Sequence, residues 1–195
     1  MSKSTFGDTK VSSDFGAASR YKNTERIFVG PEALGQDAVT GTWALEVNSN
    51  VPSLATDDAA TTNNIRIPFP APFSDAEIQS GSGVTDRGVK VIGVEVIYQV
   101  AASALGAFDL DIWKVTISSV GAPTAAEVTT TLSFDTNGDD GTEVDTHRAF
   151  AEIAEVDRFF LDSGTIVFGR LDITDGTSSD VNIVGAIWHV ERVEE

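Results

Sequence analysis

The chain of 195 residues has no cysteine and only two histidines. Without thiols it forms neither disulfide bonds nor thiolate metal sites. The two histidines, His147 and His189, lie far apart in the sequence. A metal site built on either of them would need carboxylates from other segments. We therefore expect each histidine to be a surface residue or a partly packed one.

Basic residues and long apolar runs are also scarce. Lys and Arg number 13 against 30 Asp and Glu, which gives a net charge of −17. An acidic body repels nucleic-acid backbones and anionic membranes, which argues against both as partners of the main domain. No run approaches the ~18 apolar residues of a membrane span. Because Met1–Asp8 has no apolar stretch, we expect no secretory signal and a soluble protein made in a cytoplasm.

The first residues differ from the rest in charge and composition. Residues 1–26 carry five basic and three acidic side chains, so the remainder of the chain holds a net charge of −19. Residues 1–25 are mostly small and polar, with spaced aromatic residues at Phe6, Phe15 and Tyr21. We predict a flexible N-terminal arm over residues 1–25, with these aromatics as anchors that order on a partner. The alternative is a disordered tail with no partner.

Two neighbouring segments carry the clearest strand pattern. Val89–Val100 alternates apolar residues with polar ones such as Glu95 and Gln99. Phe108–Ile117 alternates too, but its apolar parity switches near Trp113, which indicates a β-bulge or a bend where a strand passes between sheets. We interpret the pair as the central hairpin of an antiparallel sandwich.

The remaining segments extend this pattern to about eight or nine strands, separated by turns rich in Gly, Asp, Asn and Ser. Residues 165–173 and 181–190 are the strongest of them. In residues 65–73 three closely spaced prolines favour an edge or crossing segment. The predicted fold is therefore all-β, an antiparallel β-sandwich of jelly-roll type over residues 26–195, preceded by an extended N-terminal arm.

One acidic loop is the best candidate for a metal site. In Asp135–Glu143, oxygen-bearing side chains recur at Asp135, Asn137 and Asp139, a spacing that suits a hard cation such as Ca²⁺. The loop is not an EF-hand, because Asp140 and Thr146 stand where that motif needs Gly and Glu. The alternative is a solvated hairpin loop with Asn-Gly and Asp-Gly turns, and we expect no obligatory cofactor.

Catalytic motifs are missing, so we predict that the chain is not an enzyme. The sequence has no nucleophile elbow, no zinc-protease helix motif and no phosphate-binding glycine loop. Asp109 and Asp111 share one strand face, most simply the solvent face. Trp43, Trp113 and Trp188 each lie in a predicted strand, where core or interface packing is expected. An exposed aromatic platform for sugars is the alternative.

The segment Gly88–Val193 resembles the jelly-roll or sandwich domains of tailed-bacteriophage virion proteins, especially capsid decoration (cement) proteins. The resemblance lies in short strands rich in Val, Ile and Thr, in polar loops, in the absence of cysteine, and in the polar arm at Ser2–Lys22. It implies a virion structural protein that binds a major capsid protein or another virion protein. It also implies a homo-oligomer, often a trimer. The runner-up is a carbohydrate- or receptor-binding β-sandwich, with Ca²⁺ in the acidic loop.

Overall fold

Antiparallel strands form nearly all of the regular structure in the computed structural model. It describes residues 21–37, 43–48, 51–56, 62–70, 88–101, 107–117, 120–128, 132–133, 146–162, 164–174 and 180–194. The strands in chain order are β1 (Tyr21–Val29), β2 (Gly35–Asp37), β3 (Trp43–Asn48), β4 (Val51–Thr56), β5 (Thr62–Pro68), β6 (Gly88–Ala101), β7 (Ala107–Thr116), β8 (Thr124–Glu127), β9 (Leu132–Ser133), β10 (Thr146–Glu152), β11 (Thr165–Thr174) and β12 (Asp180–Glu194). Short 3-10 helices cover Pro31–Ala33 and Glu155–Asp157.

The strands divide into two sheets. Sheet I has the order β10-β6-β12-β4-β3, and β1 pairs with β12 on the side where β4 also lies. Sheet II has the order β2-β5-β11-β7-β8, and β9 pairs with β7. The long strand β12 is central in sheet I, since it pairs with β6 along most of its length. The strand β11 has the same position in sheet II, between β5 and β7.

The strand pairing is nested, because successive strands β4 to β7 pair with strands that follow them in reverse order. The strand β4 pairs with β12, β5 with β11, β6 with β10, and β7 with β8 and β9. Successive strands β4, β5, β6 and β7 thus fall alternately in sheets I and II, and so do their later partners. This is the arrangement of a jelly roll, which confirms the predicted fold class.

The core lies between the inner faces of the two sheets. Alternate residues of each strand point inward, as the period of two requires. Ile65, Leu110 and Leu171 stand side by side on β5, β7 and β11 and are fully buried. Tyr98 of sheet I stacks on Phe108 of sheet II with ring centroids 4.4 Å apart. Side chains of both sheets therefore fill one continuous interior.

The predicted central hairpin is wrong, although both of its strands exist. The strand β6 pairs with β10 and β12, whereas β7 pairs with β8, β9 and β11 in the other sheet. A period-two pattern shows which face of a strand is buried, but it does not show which strand lies beside it. Two such strands can lie side by side in one sheet or in facing sheets, and here they lie in facing sheets.

The irregularity expected in β7 occurs elsewhere. The strand β7 pairs with β11 from Ala107 to Thr116 without a register shift. The register shifts lie between β12 and β6, one between Ile183 and Gly185 and one between His189 and Val190. In β7 the change of apolar parity has another cause, because Trp113 lies on the outer face and packs there against β11.

Two further expectations concern the start of the chain and its prolines. The strand β1 begins at Tyr21 and pairs with β12 up to Glu194, so residues 21–25 lie within a strand. The strand β5 ends at Pro68 and pairs with both β2 and β11, so it is not an edge strand.

Within the described residues, no helix has the length and apolar character needed to cross a membrane.

Candidate functional site

The residues proposed from sequence as binding or metal sites lie mostly outside the described residues. Phe6 and Phe15 of the arm fall there, and of Tyr21 only the backbone is described. Asp135, Asn137 and Asp139 of the acidic loop also fall there. The arm anchors and the Ca²⁺ site therefore stay predictions. Across the described ranges, His, Asp and Glu form no group of three that could hold a metal ion.

The outer face of sheet II carries a cluster of charged and aromatic side chains, which we call the arginine–aromatic platform. Its members project from the adjacent strands β5, β7 and β11, at positions that lie opposite or diagonal to one another. They are Arg66, Asp111, Trp113, Phe168, Arg170 and Asp172.

Arg170 is the ionic centre of this platform. Its Nη2 lies 2.9 Å from Asp111 Oδ2 and 3.1 Å from Asp172 Oδ2. The Asp111 side chain is only 1% exposed, although it lies on the outer face of the sheet. The sequence placed Asp109 and Asp111 on one face correctly, but Asp111 is covered by its neighbours. The pattern of one strand contains no information about a cation 59 residues away.

Burial has the largest effect on the pKa values of the Asp111 and Asp172 carboxyls. It raises the pKa of Asp111 above its usual range, although the Arg170 guanidinium opposes the shift. It raises the pKa of Asp172 in the same way, again against Arg170. Asp172 Oδ1 and Arg170 Nε are buried and have no hydrogen-bond partner among the described residues. The platform therefore retains unsatisfied acceptor and donor capacity.

The aromatic half of the platform consists of Trp113 and Phe168, which lie directly opposite each other on β7 and β11. Their rings are nearly parallel, with an interplanar angle of 10° and centroids 6.5 Å apart. The Arg170 guanidinium lies 4.9 Å from the Trp113 ring centroid, and that of Arg66 lies 5.6 Å from the Phe168 centroid. Such cation–π contacts favour the position of each guanidinium group over its ring. The platform thus presents aromatic carbon beside hydrogen-bond donors and acceptors.

The outer face of sheet I has a different character, and we call it the phenylalanine face. Phe28 of β1 is 59% exposed and Phe150 of β10 is 37% exposed. Each ring lies over a glycine of the next strand. A Cβ added at Gly185 would lie 2.8 Å from Phe28 Cζ, and one at Gly93 would lie 2.8 Å from Phe150 Cε2. These glycines allow the rings to lie against the sheet.

Glu95 occupies the middle of the phenylalanine face on β6. Its Oε1 accepts a hydrogen bond of 3.0 Å from Arg148, and its Oε2 lies 3.1 Å from His189 Nε2. Burial alone would raise the pKa of Glu95, but the hydrogen bonds to His189 and Arg148 outweigh it, so the pKa lies below its usual value. Phe150 and His189 are in ring contact at 4.8 Å. The charges here are thus neutralised within the face.

The strand β3 forms the third candidate surface. Among the described strands it pairs only with β4, so it lies at an edge of sheet I. Its Leu45 lies opposite Leu54, which is 2% exposed. The apolar stripe of the inner face therefore continues to this edge, where Leu45 and Val47 are 60% and 70% exposed. An edge with exposed apolar residues is a site for strand pairing with another chain.

The sequence interpretation did not identify Phe28 and Phe150 as surface residues, although the sequence contains a signal for both. Gly93 and Gly185 interrupt two long strands rich in Val and Ile, and an interior strand glycine marks a close approach by another group. Of the tryptophans, Trp188 is buried in the core and Trp113 lies on the arginine–aromatic platform. The side chain of Trp43 lies outside the described residues.

Comparison with known proteins does not assign the chain to a family. No protein-family model matches the chain, and no curated protein matches it. Among solved structures, the chain is similar to the CBM22-1–GH10 modules of Clostridium thermocellum endo-1,4-beta-D-xylanase 10B, solved with xylohexaose, at 9% identity and a TM-score of 0.40. That match covers 84% of this chain and 27% of the xylanase chain, so the present chain spans about a quarter of that protein.

Two further structures are similar at a lower level. The low-affinity xylan-binding module CBM86 of Roseburia intestinalis matches at 11% identity and a TM-score of 0.27, covering 88% of this chain and 96% of that one. The structure of infectious bursal disease virus, Gx strain, matches at 12% identity and a TM-score of 0.24, covering 89% of this chain and 41% of that one. Likenesses at this level carry no functional argument, and the jelly-roll assignment rests on the strand pairing itself.

Proposed function

We propose that the chain is a virion structural protein of the capsid decoration (cement) type, a non-catalytic component that acts through protein–protein contacts. The observation that supports this proposal is the edge strand β3, where Leu45 and Val47 are exposed beside an unpaired strand edge in the described part of the chain. The partner in this proposal is the major capsid protein or another shell protein.

The physical argument starts from the cost of an exposed edge. Soluble β-proteins usually protect their edge strands with charge, proline or a bulge, because open edges pair with other chains. Glu46 is the one charged residue of β3, and Leu45 and Val47 on either side of it are apolar. A segment of a shell protein that paired with β3 would form main-chain hydrogen bonds and would cover both side chains. Such addition suits a protein that strengthens a shell.

The N-terminal arm is the second contact in this proposal. Phe6, Phe15 and Tyr21 would anchor the arm along the shell while β3 binds a neighbouring subunit. Two weak contacts on one chain act together, because the second one forms at a high effective concentration. We propose that the protein is located in the virion after synthesis in the host cytoplasm.

The test is co-fractionation with particles on a density gradient, with the chain quantified by mass spectrometry against a shell protein. We expect the wild-type chain to band with particles at a fixed ratio. The double variant Leu45→Lys/Val47→Lys should remain at the top of the gradient, because charge blocks edge pairing. The control is Ile166→Lys, which adds a charge at a site 51% exposed on the other sheet. A wild-type chain found only as free protein would refute the proposal.

A second candidate function, carbohydrate or receptor binding, is favoured by the arginine–aromatic platform. A sugar ring packs its C–H face on an aromatic side chain and exchanges hydrogen bonds with carboxylate and guanidinium groups. Trp113 supplies the aromatic surface, and the partly exposed side chains of Arg170 and Asp172 supply a guanidinium and a carboxylate group beside it. In this function a Ca²⁺ ion at Asp135, Asn137 and Asp139 would have a supporting role.

A glycan array, followed by calorimetry on any hit, tests the second candidate. We expect Trp113→Ala to abolish binding and Phe28→Ala, on the opposite sheet, to leave it unchanged. Trp188→Ala would be uninformative, because Trp188 is part of the core. Repeating the measurement with Ca²⁺ and with EDTA separates a calcium-dependent ligand from a calcium-independent one. Absence of any glycan hit with both preparations would refute this candidate.

A further inference from the structure

We infer that the phenylalanine face binds a second copy of this chain. The inference rests on the proposed structural role and specifies the surface through which the homo-oligomer would form. The phenylalanine face is the outer surface of β1, β12, β6 and β10, with Phe28 and Phe150 near its two sides and Ile187 and Glu95 between them in one cross-strand row.

The two exposed rings are fixed in position. The Phe28 ring lies over Gly185 and the Phe150 ring lies over Gly93, and Phe150 also contacts His189. A flexible apolar side chain loses rotamer freedom when a partner covers it, which costs about 0.5–1.5 kcal/mol per side chain. Rings already held against the backbone lose less, so their burial contributes more of its full value to association.

The charge of this face is the main argument for a second copy. Among its residues whose side chains are described, three are cations and three are carboxylates, which cancel. These residues are Arg26, Lys90, Arg148, Glu95, Glu152 and Glu191. The chain as a whole carries −17, so two copies repel each other through most of their surfaces. On the neutral face, contact brings no uncompensated like charges together.

The opposite face of the sandwich does not have this property. The described outer residues of sheet II include four carboxylates and two arginines, a net charge of −2. They are Asp109, Asp111, Glu127, Asp172, Arg66 and Arg170. Two copies that met through sheet II would therefore add like-charge repulsion at the contact, so sheet I is the favoured side for self-association.

The dimensions of the face predict a weak association. Four strands span roughly 19 Å and six or seven residues span roughly 20 Å, which gives a flat area of roughly 400 Å². A standard stable interface buries about 800 Å² per partner. The population of the predicted oligomer therefore depends on protein concentration. It is high only where the local concentration is high, as on a particle surface.

Sedimentation velocity and equilibrium on the full-length chain, from micromolar to millimolar concentration, test the inference at low and high NaCl. We expect a reversible oligomer whose dissociation constant falls as NaCl rises, because salt screens the repulsion between copies of charge −17. Association through opposite charges would instead weaken with salt. A chain that stays monomeric at every concentration and both salt levels would overturn the inference.

Two variants locate the contact. Phe28→Ser should raise the dissociation constant roughly tenfold or more, as expected when a large aromatic side chain that a contact covers is removed. Ile166→Ser is the matched control, because Ile166 is 51% exposed on the other sheet and should not affect association. The melting temperature of each variant checks that the fold survives. An unchanged dissociation constant in Phe28→Ser would overturn the inference.

A charge variant keeps both rings in place. Arg26→Glu changes the charge of the face by −2 in each copy, so association should weaken at low salt and recover at high salt. The gradient experiment separates a failure of this inference from a failure of the proposed function. If Phe28→Ser loses particle binding while the wild type is always monomeric, the face binds a shell protein instead, which overturns the inference and leaves the proposed function standing. If the wild type associates but never bands with particles, only the proposed function fails.

Discussion

Trp188 and Pro68 join the two sheets through a hydrogen bond inside the core. Trp188 Nε1 of β12 donates to the Pro68 carbonyl oxygen of β5 at 2.9 Å. The Trp188 ring also contacts Phe69 edge-on, with centroids 5.1 Å apart. Trp188 is fully buried, so its indole N–H has no access to water and depends on this carbonyl.

Replacement of this tryptophan should be costly. We expect Trp188→Phe to lower the free energy of unfolding by about 2–4 kcal/mol, because it removes the hydrogen bond to the Pro68 carbonyl and opens a cavity in the core. Chemical denaturation measures the difference. Trp113→Phe is the control, since Trp113 lies on the outer face and is only partly covered. Equal losses in the two variants would contradict the inter-sheet role of Trp188.

Gly185 is a position where only glycine fits. Its φ is +156°, and an added Cβ would lie 2.7 Å from the Val29 carbonyl oxygen. We expect Gly185→Ala to cost more than the roughly 1–3 kcal/mol typical of backbone strain alone. Gly121→Ala is the matched control, because Gly121 has a φ of +111° and no atom within 4 Å of the added Cβ. Thermal unfolding of both variants should show the larger loss at Gly185.

The carboxyls on the two outer faces should give opposite pH dependences. Asp172 has a raised pKa in the folded state, so the native protein binds more protons there than the unfolded chain. Its ionisation opposes folding at neutral pH, and this penalty is relieved as the pH falls through the raised pKa. Glu95 has a lowered pKa, so its stabilising contribution is present above its unfolded pKa and is lost as the pH falls through the folded one.

Denaturation of the wild type, Asp172→Asn and Glu95→Gln between pH 7 and pH 3 checks this prediction. Acidification should raise the free energy of unfolding of the wild type relative to that of Asp172→Asn. It should shrink the advantage of wild type over Glu95→Gln. Comparing each variant with the wild type removes the general effect of neutralising a chain of charge −17. The same trend in both variants would contradict the assignment.

Truncation should separate the arm from the sandwich. We expect a chain lacking residues 1–20 to keep its melting temperature and to lose particle binding, because β1 is intact while the proposed anchors Phe6 and Phe15 are gone. Removing residues 1–25 should also lower the melting temperature, since Glu25 accepts hydrogen bonds of 2.9 and 3.2 Å from Arg192. At this chain length each kcal/mol lost corresponds to about 2–4 °C. Particle binding that survives removal of residues 1–20 would contradict the arm proposal.

The sequence predicted the fold class because burial imposes a period of two on each strand. Val89–Val100 corresponds to β6, Phe108–Ile117 to β7, and the runs near residues 165–173 and 181–190 to β11 and β12. The same pattern does not show which strands pair with each other, as the wrong prediction of the central hairpin shows. Partners are fixed by packing between segments far apart in the chain, such as Leu54 and Ile183 at a separation of about 130 residues, and one strand contains no record of them.

The candidate surfaces were harder to predict than the core. Glu95 and Asp111 each have the polar parity expected of an outer face, yet both are buried. Their cover comes from Arg148 and Arg170 on neighbouring strands, which the pattern of a single strand does not identify. The positions of Phe28 and Phe150 on the surface depend on Gly185 and Gly93 in the adjacent strands, so the glycines are a signal only once the strand pairing is known.

The position of β12 has a consequence for biosynthesis. This central strand of sheet I pairs with β1, β4 and β6, all of which precede it in the chain. Their shared partner is absent until residues 180–194 have left the ribosome, so the nascent chain holds incomplete sheet edges for most of its synthesis. Pairings over such long sequence separations also form slowly. We expect the jelly roll to close only after translation of β12, and the high negative charge would keep nascent chains apart during that interval.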